Sequence, residues 1–222
     1  MEKIKNKSII LGITGSISAY KAPLIVRELV KAGAEVHCVM TNSAKEFVTE
    51  SVLANLSKNH VISDMFDKEM NADGAWHVHL AHKADLMIIA PCSATSLGKI
   101  ANGICDTALT TLALALPKDV PLVLAPAMDY TMWDNPAVQS NIKLCLRYGY
   151  GIIEPEHGEL SSGLVGKGRL PEIDTIIKAI SKGFEGTLDS SDIIIGGLKD
   201  AVDEDKWNAD YELDKLKKEH GS

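Results

Sequence analysis

Short, largely apolar runs alternate along the chain with longer stretches in which apolar residues recur every three or four positions. A short apolar run bounded by turn residues is typical of a strand that is buried on both faces, as in a parallel sheet. Strands are therefore predicted at 8–13, 35–40, 86–90, 121–125 and 152–153. The alternation of such runs with helical patterns indicates an α/β domain.

The stretches between these runs have the spacing of amphipathic helices. Helices are predicted at 19–32, 49–57, 97–104, 107–116, 137–148 and 171–182. Residues 58–74 are polar and irregular, and we expect a surface excursion with a short strand near Val61. Residues 157–170 contain four glycines and predict a flexible flap without regular structure.

The composition of the chain changes near residue 183. Its 222 residues suffice for one large domain with a full core, which we place at 1–182. The remainder, 183–222, is an acidic and polar tail with a candidate amphipathic helix at 206–218. We expect this tail to lie outside the core or to dock on a neighbouring molecule.

Charge and cysteine content exclude several classes of protein. The net charge is −7 and the isoelectric point is near 5.5, which argues against a nucleic-acid partner. No apolar run approaches the length of a membrane span. The four cysteines show no CxxC spacing, which fits unpaired thiols in a reducing, cytoplasmic environment.

Small and hydroxyl-bearing residues follow the first three predicted strands, where ligands bind in open α/β sheets. They are Gly15 and Ser16 after the first strand, Thr41 and Ser43 after the second, and Ser93, Thr95 and Ser96 after the third. A glycine-serine turn before a helix binds anions through free N–H groups, so a phosphate is one interpretation. An ordinary strand-to-helix turn is the alternative for the segments after the first and third strands, with Ser96 as the helix N-cap after the third.

Three histidines lie just before the third strand: His77, His79 and His82. Their spacing does not give the i, i+4 pair of a helical zinc site, and no metal site is predicted. One histidine near a ligand can act as acid or base, whereas a structural role is the alternative for each. Met128 and Met132 lie in a turn-rich segment and either line a pocket or cover the core.

Five ordered motifs resemble the signatures of a known family. They are GITGSISAYK, the first histidine of WHVHLA, PCSATS, PAMDYTMW and GELSSGLVGKGR. This series is similar to that of the homo-oligomeric flavin-containing cysteine decarboxylases, and it spans about residues 8–180. The resemblance implies a flavodoxin-like, doubly wound fold, FMN as cofactor, and trimers or multiples of trimers with the flavin between subunits.

The resemblance also implies roles for individual residues. Gly15, Ser16 and Ile17 would hold the FMN phosphate; Thr41, Ser43, Ser93, Thr95, Ser96 and Ala127 would contact the flavin. His77 would be the catalytic base, which leaves His79 and His82 with structural roles. Met128, Asp129 and Met132 would contact the substrate, and the flap residues Lys167 and Arg169 would suit an anionic one.

The chain departs from the family pattern at two positions. Asp129 replaces an asparagine, and Ser162, predicted as a catalytic residue beside His77, replaces the flap cysteine that supplies a proton in the coenzyme A branch. An ionised aspartate cannot donate a hydrogen bond and repels a substrate carboxylate. A serine hydroxyl is a far weaker acid than a thiol. Binding of FMN is compatible with both changes, whereas they bear directly on the reductive half of the reaction.

Three functions follow from these considerations. The leading one is FMN-dependent decarboxylation of 4′-phosphopantothenoyl-cysteine to 4′-phosphopantetheine in coenzyme A biosynthesis, by flavin oxidation to a thioaldehyde, CO2 loss and reduction of the enethiol. Oxidative decarboxylation of a peptide with a C-terminal cysteine is an alternative that Ser162 favours. A non-catalytic, regulatory FMN-binding protein is the third, against which the presence of His77 argues.

Overall fold

Five parallel strands form the centre of the molecule in the computed structural model, which describes residues 2–67, 69–70 and 74–184. The strands are β1 Ser8–Ile13, β2 Glu35–Met40, β3 Leu86–Cys92, β4 Leu122–Pro126 and β5 Gly151–Ile152. Their order in the sheet is β2-β1-β3-β4-β5. The tail from residue 185 onward, including the helix predicted at 206–218, lies outside the described residues.

The strand order makes the fold doubly wound. From β1 the chain first moves outward to β2, and it then returns past β1 to form β3, β4 and β5 on the other side. The point where the direction reverses lies between β1 and β3, which pair in parallel. Order 2-1-3-4-5 is that of flavodoxin-like proteins, and such folds bind ligands at this switch point. The predicted fold class is confirmed.

Helices cover both faces of the sheet. They are α1 Ala22–Lys31, α2 Glu50–Ser57, α3 Trp76–Lys83, α4 Ala94–Ala101, α5 Ala108–Leu114, α6 Tyr130–Trp133, α7 Pro136–Arg147 and α8 Ile173–Gly183. Within β1, Ile9 and Leu11 pack with α1, α2 and α8, whereas Ile10 packs with α3, α4, α5 and α7. Successive strand residues point to opposite faces, so the apolar runs fill two separate cores.

An ion pair fixes the edge of the sheet opposite the carboxyl ends of the strands. Asp85, which precedes β3, accepts hydrogen bonds from the Lys7 Nζ and the Ser8 N–H, both at 2.8 Å. Burial raises the pKa of Asp85, but these two hydrogen bonds outweigh it and the net effect is a lowered pKa. The carboxylate therefore ties the start of β1 to the start of β3.

The glycine-rich flap differs from its prediction. Strands β6 Glu156–Glu159 and β7 Val165–Arg169 form an antiparallel hairpin, so the prediction of a stretch without regular structure is wrong. The hairpin crosses the 128–130 segment so closely that a Cβ on Gly168 would lie 2.0 Å from the Met128 carbonyl oxygen. The glycines therefore permit close packing of two backbones as well as flexibility.

Several helix boundaries also differ from their predictions. The helix predicted at 19–32 begins as a 3₁₀ turn, Ile17–Lys21, which continues into α1. The helix predicted at 97–104 starts earlier, with Ser93 rather than Ser96 as its N-cap. The short strand expected near Val61 is a single parallel bridge between Val39 and Ile62. Within the residues that the structure describes, no helix has the length and apolar character needed to cross a bilayer.

Candidate active site

A cavity of about 1020 Å³ lies at the carboxyl ends of β1, β3 and β4, beside the switch point. Its walls are the turn after β1, the loop after β3, the segment after β4 and the β6–β7 hairpin. The lining residues are Gly15, Ser16, Ile17, Ser18, Tyr20, Lys21, Phe47, Ser93, Ala94, Thr95, Ala127, Met128, Asp129, Met132, Glu159, Leu160, Ser161, Ser162, Gly168, Arg169 and Glu172. Residues distant in sequence thus meet at the position that the strand ends predict.

The buried hydroxyl of Thr14 joins the first two walls. It donates a hydrogen bond to the Pro91 carbonyl oxygen at 2.8 Å and accepts one from the Ser93 N–H at 2.7 Å. These bonds hold the end of β1 against the end of β3, where the β3–β4 register shifts. Thr14 was not predicted as a site residue, although its hydroxyl follows an apolar strand directly, as that of Thr41 does.

The hydroxyl loop after β3 presents part of its surface to the cavity. Ser93 and Thr95 line the cavity, whereas Ser96 is buried. The Ser96 N–H donates a hydrogen bond to the Ser93 Oγ at 3.4 Å, and the Ser93 hydroxyl donates one to the Ser96 Oγ at 3.3 Å. Ser96 therefore supports the loop from behind.

The turn after β1 approaches the loop after β2 closely. A Cβ on Gly15 would lie 2.4 Å from the Cβ of Ser43, so only glycine fits this crossing. Ser43 and Thr41 are not among the residues that line the cavity. The Thr41 Oγ1 is buried and has no hydrogen-bond partner among the described residues.

The third wall carries Asp129, whose two carboxylate oxygens have different partners. Oδ1 accepts hydrogen bonds from the Thr131 N–H and Oγ1, both at 3.1 Å, and so caps helix α6. Oδ2 accepts a hydrogen bond from the Ser162 hydroxyl of the hairpin at 2.7 Å. The Ser162 hydroxyl and the Thr131 N–H hold the pKa of Asp129 below its usual value, so this carboxyl group is ionised.

Cationic side chains occupy the side of the cavity next to α8. Arg169 lines the cavity and pairs with Glu172, and Lys21 lies 3.6 Å from the same Glu172 carboxylate. Lys167 is not among the lining residues; it pairs with Glu154 at 2.7 Å. Lys21 was not singled out in the sequence, although it ends the first motif, one turn after the glycine-serine pair.

His77 is in the first turn of α3, and its ring meets that of Trp76 edge-on at 5.7 Å. The Nδ1 atom is buried without a hydrogen-bond partner among the described residues, and His77 is not among the residues that line the cavity. His79 and His82 are exposed on the helix surface. Groups of histidine, cysteine and carboxylate side chains able to hold a metal ion are absent from the described part of the chain.

Comparison with known proteins assigns the chain to a family. The family model described as Flavoprotein matches residues 1–185. The chain belongs to the flavoprotein family. The flavoprotein is 44% identical over 176 residues to a probable phosphopantothenoylcysteine decarboxylase of Streptococcus mutans, with 79% of this chain and 98% of that protein covered.

A longer relative and two solved structures extend the comparison. The coenzyme A biosynthesis bifunctional protein CoaBC of Bacillus subtilis is 41% identical over 206 residues. The match covers 90% of this chain and 50% of CoaBC, so the flavoprotein spans about half the length of this relative. A cysteine-to-serine mutant of PPC decarboxylase complexed with pantothenoylaminoethenethiol is similar, with a TM-score of 0.75, 30% identity and 82% and 100% of the two chains covered. For the FMN-dependent cysteine decarboxylase SpaF the TM-score is 0.71 and the identity 30%, with 82% and 98% covered.

Proposed function

We propose that this flavoprotein binds FMN and decarboxylates 4′-phosphopantothenoyl-cysteine to 4′-phosphopantetheine, a step of coenzyme A biosynthesis. The observation that carries the proposal is the cavity at the switch point, which gathers the first, third, fourth and fifth motifs of the family on one surface. Family membership and the names of the similar proteins support the same reaction.

The residues at the cavity fit a flavin nucleotide. A volume of about 1020 Å³ is at the upper end for small-molecule sites, which leaves room for a nucleotide and a substrate together. Gly15, Ser16 and Ile17 lead into the 3₁₀ turn Ile17–Lys21, where the first N–H groups lack intrahelical partners and suit a phosphate. Ser93 and Thr95 offer hydroxyl groups on the adjacent wall.

The chain's own residues would bind the substrate and move its protons. When bound, FMN supplies the redox chemistry without which a cysteine-derived carboxylate has no route to lose CO2. Met128 and Met132 give the substrate an apolar wall, and Arg169 and Lys21 offer positive charge to an anionic substrate. Lys167 is held by Glu154 at 2.7 Å and would take part only after leaving this partner.

We further propose that the site is completed in a homo-oligomer, a trimer or a multiple of trimers. Within one chain His77 is not among the cavity-lining residues, so a second copy would bring it to the substrate as a base. Exposed apolar side chains at the cavity rim suit such a contact: Ile17 is 51% exposed, Tyr20 57% and Phe47 41%. Thr41 and Ser43 would then contact the flavin from the edge of the same surface.

The hydrogen bond between Ser162 and Asp129 favours a second candidate function. The Ser162 hydroxyl donates its hydrogen bond to the Asp129 carboxylate. Ser162 is therefore a poor proton donor to the enethiol that forms when CO2 is lost. A reaction that ends at the enethiol removes CO2 and two hydrogens from the substrate, and dioxygen would take up these two electrons and two protons as hydrogen peroxide. The substrate of this second candidate would be a peptide with a C-terminal cysteine.

Mass spectrometry of the product separates these functions. We expect purified protein with bound FMN to convert 4′-phosphopantothenoyl-cysteine to a product that has lost CO2 alone. A peptide with a C-terminal cysteine that loses CO2 and two hydrogens, with consumption of dioxygen, would support the second candidate. Absence of turnover with FMN bound and with both substrates supplied would overturn the proposal of a decarboxylase.

A further inference from the structure

The base of the β6–β7 hairpin is fixed to the segment that follows β4. The Met128 N–H donates a hydrogen bond to the Gly168 carbonyl oxygen at 3.0 Å. A Cβ on Gly166 would lie 2.5 Å from the Cβ of Tyr130, so this contact too is close. The base therefore has little freedom to move relative to α6.

The tip of the hairpin, residues 160–163, is held in a different way. Its turn is closed internally by hydrogen bonds from the Leu160 N–H to the Leu164 oxygen at 2.8 Å and from the Gly163 N–H to the Leu160 oxygen at 2.9 Å. Leu164 and Val165 beside it are 48% and 64% exposed, so the tip is not anchored by burial. Among the hydrogen bonds of the described residues, the bond from Ser162 to Asp129 is the one that ties the tip to another part of the fold.

The structure of Asp129 suits it to this task. Its Oδ1 is engaged by Thr131 at the start of α6, which fixes the orientation of the carboxylate. The Oδ2 atom is thereby presented to the hairpin, and a hydrogen bond to a charged acceptor is stronger than one between neutral groups. Both Asp129 and Ser162 line the cavity, so the bond between them is part of its wall.

We propose that the Asp129–Ser162 hydrogen bond is a latch that holds the hairpin tip closed over the cavity, and that Ser162 is a positioning residue rather than a proton donor. The latch controls how long the tip stays over a bound ligand. It does so by geometry alone, so the inference goes beyond the proposed function and does not depend on it.

Hydrogen–deuterium exchange of the full chain tests the latch without any ligand. We expect Ser162→Ala to accelerate exchange at the Leu160 and Gly163 amides by about tenfold, mainly through loss of the hydrogen bond to the charged Asp129. The substitution also removes the long hydrogen bond, 3.5 Å, that the Leu164 N–H donates to the Ser162 Oγ within the tip. The Met128 amide reports the base of the hairpin and is expected to keep its protection. Ser161→Ala is the matched control, because the neighbouring serine makes no hydrogen bond to Asp129.

Two further variants separate the latch from a general loosening. Ser162→Thr keeps a hydroxyl and is expected to restore slow exchange at the tip. In an Asp129→Ala background, Ser162→Ala is expected to add little, because only the 3.5 Å hydrogen bond from the Leu164 N–H then remains to be lost. Additive effects of the two substitutions, or unchanged exchange in Ser162→Ala, would overturn the latch.

A kinetic measurement connects the latch to the proposed function. With 4′-phosphopantothenoyl-cysteine, Ser162→Ala is expected to raise KM severalfold while kcat changes less, because a looser tip shortens substrate residence. A kcat lost at unchanged KM, with product no longer reduced, would instead identify Ser162 as a proton donor and overturn its positioning role. If the wild-type protein does not turn over this substrate, the proposed function fails, whereas the exchange experiment still decides the latch.

Discussion

A single methyl group added at Gly168 tests whether the close contact between hairpin and α6 segment is required for function. The Cβ of Gly168→Ala would lie 2.0 Å from the Met128 carbonyl oxygen and 3.2 Å from its carbonyl carbon. Both atoms belong to the backbone, so no side-chain rotation relieves the clash. The two segments must separate by more than about 1 Å before the contact becomes an ordinary one.

The expected cost follows from this geometry. Overpacking costs about 1–3 kcal/mol, and separation also weakens the hydrogen bond from the Met128 N–H to Gly168, worth about 1 kcal/mol. Because the hairpin can undock while the two cores stay intact, we expect a modest fall in melting temperature. Loss of one cavity wall should lower kcat/KM by at least about tenfold.

Gly158→Ala is the matched control within the same hairpin. Its Cβ would lie 3.3 Å from the Arg169 Nη1, the far end of a flexible side chain that can move aside. Thermal unfolding, exchange at the Met128 amide and decarboxylation kinetics would be compared for the two variants. Equal behaviour of Gly168→Ala and Gly158→Ala in all three measurements would refute the argument that this backbone contact builds the cavity.

Three other predictions concern His77, Asp129 and Asp85. His77→Asn should keep bound FMN, seen in its absorbance, and lose CO2 release. Oligomers that mix this variant with the low-activity Gly168→Ala chain should regain activity at roughly a quarter of the sites, and no recovery above the activity of Gly168→Ala would argue against a shared site. Asp129→Asn removes a negative charge from the cavity wall but keeps an amide oxygen that can accept the Ser162 hydrogen bond. It should therefore lower KM for a carboxylate substrate severalfold in steady-state kinetics, and an unchanged KM would place the substrate carboxylate elsewhere. Asp85→Asn should cost about 1 kcal/mol at pH 7 after solvent screening, measured by denaturant unfolding. Because the native pKa of Asp85 is lowered, its contribution to the free energy of unfolding is complete above about pH 4 and is lost as the pH falls through the native pKa. The Asp85→Asn variant should therefore lose less stability in acid than the wild-type protein does. Identical pH profiles for the two proteins would contradict this.

The sequence by itself determined the sheet and the position of the site. The predicted bounds 8–13 and 35–40 coincide with β1 and β2, because apolar runs buried between two helix layers are a local signal. Ser16, Ser93 and Thr95 were placed at the cavity by a general rule, since parallel strands bring their carboxyl ends to one edge.

Only the tertiary structure decided what closes the cavity. The sequence of the hairpin has no hydrophobic periodicity. Its glycines at 166 and 168 are required by close contacts with Tyr130 and Met128, which lie far from them in the sequence. The same holds for the bond between Asp129 and Ser162, 33 residues apart, and for that between Thr14 and Pro91, 77 apart. His77 was found by motif, yet its distance from the cavity lining depends on how α3 packs. Side-chain partners across long loops are fixed by packing, and no local pattern in the sequence encodes them.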